Sequence, residues 1–151
     1  MKICLLLIAL LCATLSRLRL CQGVDLYQST LEEIVTLAKA TARYHNAGRT
    51  HDALEAAKQC RSAFVRSVSM KENDPQPYLY FARFLHNTHK FEEAIRHFRT
   101  ALDNMPAGND EARAYVSDSI REAKLGKVSV ERDRVYADGQ GDIMETLTLV
   151  G

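Results

Sequence analysis

The chain has 151 residues, with 20 Lys and Arg against 19 Asp and Glu, so no excess positive charge marks it for a nucleic acid or an anionic membrane surface. Three of its four cysteines, Cys4, Cys12 and Cys21, fall near the amino terminus, which excludes a disulfide-stapled scaffold and leaves the core to helix or sheet packing.

Lys2 is followed by thirteen uncharged residues, Ile3 to Leu15. A run of that length suits the apolar region of a secretory signal better than a spanning helix of about 20 residues. Cys21 and Gly23 are small residues at the two positions that signal peptidase reads, so a signal peptide over 1–23 with cleavage before Val24 is expected. The protein would then lie in the endoplasmic reticulum lumen or be secreted. Arg17 and Arg19 keep two alternatives open, a retained membrane anchor and a mitochondrial presequence. Contact with a membrane is expected only if this segment is retained. Cleavage would remove Lys2, Arg17 and Arg19 and no acid, taking the 20 basic residues to 17 against 19 acidic ones, with Cys60 the one cysteine left.

Ser29 and Thr30 each have a Glu three residues on, Glu32 and Glu33, a capping-box pattern that places the start of the first helix there. The turn that follows, at Asn46 to Thr50, contains Gly48. Asp74 followed by Pro75 opens another helix, because Asp can cap free amides and Pro at the first helical position gives up no hydrogen bond. Apolar residues at 78, 79, 81, 82 and 85, then at 91, 94, 95, 98, 101 and 102, form two stripes of helical period. Pro106 and Gly108 close that pair. A last helix is expected over 110–124, with Ala112, Tyr115, Val116, Ile120 and Ala123 on one face and Arg113, Asp118, Arg121, Glu122 and Lys124 solvated. Gly139 and Gly141 break the pattern, so 125–151 reads as a flexible tail, and the apolar residues between Ile143 and Val150 also fit a chain that continues further.

From Pro75 to Pro106, Tyr78, Phe81, Ala82, Leu85, Ala94, Phe98, Ala101 and Pro106 fall on the spacing of one tetratricopeptide repeat, and the segment resembles that family. A weaker copy precedes it: aligning Ala53 with the family's first conserved Ala places Leu37, Ala40, Tyr44, Gly48, Ala57 and Cys60 at its packing and turn positions, so the resemblance implies that Cys60 is buried, with Ser67 to Asn73 as an insertion between the two copies. The resemblance implies an all-α, short helix-turn-helix solenoid of two repeats, about 34–67 and 75–108, within a domain over 26–124. The helix at 110–124 would cap it. In that family the first helix of each repeat lines a concave groove that binds a peptide or a helix. Mapped here, the groove residues with polar or large side chains are Lys39, His45 and Asn46 from the first copy and Gln76, Leu79, Tyr80, Arg83, His86 and Asn87 from the second. Members that clamp heat-shock chaperone tails carry Lys and Asn where Ala38 and Ala42 stand here, so that partner is not expected.

Catalytic chemistry finds little support. The His86-x-x-His89 pair has no clear third ligand, and Asp138, Gln140 and Asp142 lack the Gly and the bidentate Glu of a calcium loop. Gly139-x-Gly141 is not a full phosphate fingerprint, and a lone Cys60 on a packing face reads as inert. The expected protein is a non-enzymatic interaction module of the secretory pathway, with no cofactor, no metal, a protein or peptide partner and no nucleic acid. The alternative is a substrate-recognition segment or accessory subunit of an endoplasmic-reticulum enzyme such as a prolyl hydroxylase, whose substrate-binding parts such repeats also resemble.

Overall fold

The computed structural model describes residues 25–149, with side chains described over 25–134, so the expected signal segment lies outside the described residues. Among the described residues the secondary structure is all α-helical. The chain divides after Glu72 into two compact units.

The amino-terminal unit is a hairpin of α1, described over 25–46, and α2, Thr50–Met70. The first helix already runs through Ser29 and Thr30, which corrects the expected capping box. The Thr30 hydroxyl donates backwards to the Leu26 carbonyl at 2.8 Å, the usual bond of a threonine inside a helix. Tyr27, Leu31 and Ile34 form the buried face of α1. Its partner face on α2 is a stripe of small residues, Ala53, Ala56, Cys60, Ala63 and Ser67, which permits close approach of the helix axes. Ala56 is buried where Ala57 was expected. Cys60 donates through Sγ to the Ile34 carbonyl at 3.6 Å, and Arg66 bridges to Glu33 at 2.6 Å, tying the two helices together. The insertion read at Ser67 to Asn73 is partly absorbed as the last turn of α2, which ends at Met70.

The carboxy-terminal unit contains α3, Pro75–Asn87, α4, Phe91–Asn104, and α5, Asp110–Leu149. Asp74 caps α3, its Oδ1 accepting from the Gln76 amide at 2.9 Å, with Pro75 at the first helical position. Phe81, Ala82 and Leu85 from α3 and Ala94, Phe98 and Ala101 from α4 are buried, alternating large and small so that the helices interdigitate. His97 of α4 lies edge-on to Phe81, ring centroids 5.2 Å apart, and stacks on Tyr78 at 6.2 Å.

Helix α5 packs on α4 through Val116, Ser119 and Ala123. Two expectations for it are corrected. Arg113 is not solvated: its Nη1 donates to the Leu102 carbonyl at 3.0 Å and the Met105 carbonyl at 3.4 Å, closing the exposed end of α4 with a cation. Nor does the helix stop at Lys124. Gly126 lies so close to Phe91 that a Cβ there would stand 2.7 Å from the ring, and Lys127 pairs with Glu92, so residues beyond 124 still have α4 to pack against. The α5 backbone continues to Leu149, through Gly139 and Gly141, where the sequence pattern was read as broken.

Both hairpin turns use one backbone device. After α1, the Arg49 amide bonds to the Tyr44 carbonyl at 2.9 Å and the Gly48 amide to the His45 carbonyl at 3.0 Å. After α3, the Lys90 amide bonds to Leu85 at 2.9 Å and the His89 amide to His86 at 3.0 Å. These are two Schellman closures, each with its second-last residue left-handed: Gly48 at φ 71° and His89 at φ 59°. The sequences Tyr44-His-Asn-Ala-Gly-Arg49 and Leu85-His-Asn-Thr-His-Lys90 share these two closing bonds at the same positions.

Candidate functional site: a cleft between α3 and α5

In the carboxy-terminal unit, the last turns of α3 and the first turns of α5 enclose a polar cleft of about 300 Å³. Arg83, His86 and Asn87 come from α3, Tyr115, Ser119 and Glu122 from α5, and Phe98 from α4. The helical spacing explains the set: 83, 86 and 87 share one face of α3, while 115, 119 and 122 share one face of α5 beside its buried stripe.

Arg83 is held in place rather than free to sweep through solvent. Its Nε donates to the Tyr115 hydroxyl at 3.0 Å, and its guanidinium carbon lies 4.8 Å from the centroid of the same ring. The Ser119 hydroxyl donates to the Tyr115 carbonyl at 3.0 Å, so that buried group is satisfied within its own helix. His86 lies edge-on to Phe91 at 5.4 Å, with His89 edge-on to the same ring at 5.6 Å. The two imidazoles therefore flank a phenyl ring, and among the described residues no group of three or more His, Cys, Asp or Glu could hold a metal.

Of the nine residues singled out from the sequence, the structure brings Arg83, His86 and Asn87 into this cleft. Gln76, Leu79 and Tyr80 stand nearer the start of α3, the first exposed and the other two half-buried. Lys39, His45 and Asn46 are exposed on α1, in the other unit. Sequence reasoning missed Tyr115, which it placed on the packing stripe and which is 47% exposed, and Glu122, which it left as ordinary solvated surface. The signal was present as a polar stripe at 115, 119 and 122, one residue round the helix from Val116 and Ala123.

A larger recess of about 460 Å³ lies between α4 and α5, lined by His89, Phe91, Glu92, Arg96, Lys127 and Glu131 among others. Its central charges answer one another: Lys127 pairs with Glu92 and, at 3.6 Å, with Glu131. That hydrogen-bonded pairing lowers the Glu92 pKa and raises that of Lys127. Cys60 is fully buried, and loss of solvent, with a smaller push from Glu33, raises its thiol to about 12. It is a protonated, packed thiol at neutral pH and offers no nucleophile.

Fold and cleft thus define an all-α protein of helix hairpins whose polar recess lies between two helices. No protein-family model, curated protein or solved structure matches the chain. Among the described residues no helix is long and apolar enough to cross a membrane.

Proposed function

We propose that this chain is a non-catalytic protein-interaction module of the tetratricopeptide type, directed to the secretory pathway, which binds a peptide or a helix along α3 and α5. The observation that carries the reading is the α3/α5 cleft. Three of the residues that the family resemblance assigns to a ligand-binding surface, Arg83, His86 and Asn87, line it together. The cleft holds donors and acceptors with an aromatic wall, the composition of a peptide-recognition surface, and Arg and Tyr are the residue types that most often dominate such contacts. The matched turn closures at Gly48 and His89 add to the repeat reading.

The test is capture of partners by the tagged full chain, compared with two pairs of substitutions. Arg83→Ala with Asn87→Ala should abolish capture at unchanged helicity. Arg99→Ala with Asp103→Ala, both exposed on α4 and outside the cleft, should leave it intact. Equal capture by both double variants would remove the cleft from the account.

A further inference from the structure

Resting on that reading, the cleft also indicates what its ligand carries. A guanidinium has five N–H donors in a planar fork. In Arg83 the Nε–H is taken by Tyr115, and among the described residues the four Nη–H donors have no bonded acceptor and no carboxylate partner. Stacking and hydrogen bonding to Tyr115 fix the side chain before a ligand arrives, so little rotamer entropy remains to be lost on binding. Such a fork suits a two-oxygen anion. Glu122 lines the same cleft, and among the described residues it likewise has no ion-pair partner. Its negative charge disfavours a phosphate dianion or a run of acidic residues and favours a donor or cation on the ligand. Asn87, with both amide donors and a carbonyl, can bond to a peptide backbone between the two charges.

We propose that the α3/α5 cleft recognises a mixed-charge peptide segment, one carboxylate side chain seated on Arg83 and a basic side chain answering Glu122, rather than a uniformly acidic tail. Recognition uses the pinned guanidinium as the selective element, with Glu122 excluding ligands of higher negative charge.

Fluorescein-labelled peptides titrated against the full chain and read by anisotropy test this. The probes are an Ala/Gln host carrying one Glu and, four residues on, one Lys; the same host with Gln for Glu; with phosphoserine for Glu; and with Glu at both places. The mixed-charge probe should bind best. Gln for Glu should weaken it about tenfold, the scale of one charge-assisted bidentate contact. That difference should vanish in Arg83→Gln, and Glu122→Lys should move the preference to the doubly acidic probe. Circular dichroism melts of both variants should match the wild type. If the Gln probe binds as well as the Glu probe, or the phosphoserine or doubly acidic probe binds best to the wild type, the proposal is overturned. If all probes bind alike and Asn87→Ala abolishes binding, the interaction reading stands while this inference fails. Absence of binding by every probe counts against both.

Discussion

His89 is a β-carbon residue in a place built for glycine, and its replacement offers a direct test of the turn argument. At φ 59° an L-residue pays about 1–2 kcal/mol for the left-handed conformation, whereas glycine is indifferent to it. Gly48 performs the same role in the other hairpin at φ 71°, with nothing within 4 Å of where its Cβ would stand, so any penalty there is conformational rather than steric. His89 returns part of its strain through the edge-on contact with Phe91 at 5.6 Å, worth about 0.5 kcal/mol at an exposed site. His89→Gly should therefore stabilise the carboxy-terminal unit by about 0.5–1 kcal/mol. His89→Ala loses the ring contact and keeps the strain, so it should fall about 1 kcal/mol below His89→Gly, or about 4–8 °C in Tm for a unit of this size. Gly48→Ala should destabilise the amino-terminal unit by about 1 kcal/mol. Thermal melts followed by circular dichroism measure all three. Equal melting of His89→Gly and His89→Ala would refute the assignment of strain to this residue.

Ala94 is fully buried where α3 and α4 meet, so Ala94→Arg should unfold the carboxy-terminal unit, a buried unpaired charge costing several kcal/mol against a total of about 5–15, while exposed Arg96→Ala should be mild; equal melting temperatures would show the helix face to be misassigned. Gly126→Ala should destabilise by about 1 kcal/mol, because crowding against Phe91 outweighs the gain in helix propensity, and the same change made with Phe91→Ala should stabilise by about as much. Chemical denaturation of the four-member cycle measures that coupling. Cys60 should resist alkylation in the native state at pH 8, where a thiol of pKa about 12 is ionised in about one molecule in ten thousand, and should react only at the rate of opening. Because the folded thiol holds its proton more tightly than the unfolded one, its contribution to stability is full below about pH 9 and is lost as pH rises towards 12. Rapid native labelling at pH 8 would contradict the burial.

The carboxy-terminal pair was legible because its residues alternate in size: Phe81 and Phe98 can be buried only where Ala82, Ala94 and Ala101 make room, and helical spacing then fixes the faces. The amino-terminal pair was less so. Its α2 face is Ala, Cys and Ser throughout, and with no bulky residue to set the phase, Ala57 was read where Ala56 is buried. The start of α1 was misplaced because Ser29 and Thr30 are equally at home as caps and as back-bonding residues inside a helix, and Thr30 takes the second role. In the cleft, the α3 residues Arg83, His86 and Asn87 are among those that the family resemblance assigned to a groove. The α5 residues were missed, since the buried stripe there runs through Ser119, a polar residue satisfied by its own backbone, and this turns Tyr115 outward. Arg113 escaped for a related reason: its contact is with carbonyls at the end of α4, which no side-chain pattern records.

The central claim is that partner recognition takes place between α3 and α5. Amide hydrogen exchange of the full chain, free and saturated with a partner recovered through it, addresses that claim residue by residue. The account predicts added protection at Arg83 to Asn87 and at Tyr115 to Glu122, unchanged exchange across Arg96 to Asp103, and loss of the added protection in Arg83→Ala with Asn87→Ala. Protection confined to other segments, with the cleft exchanging as in the free protein, would contradict it.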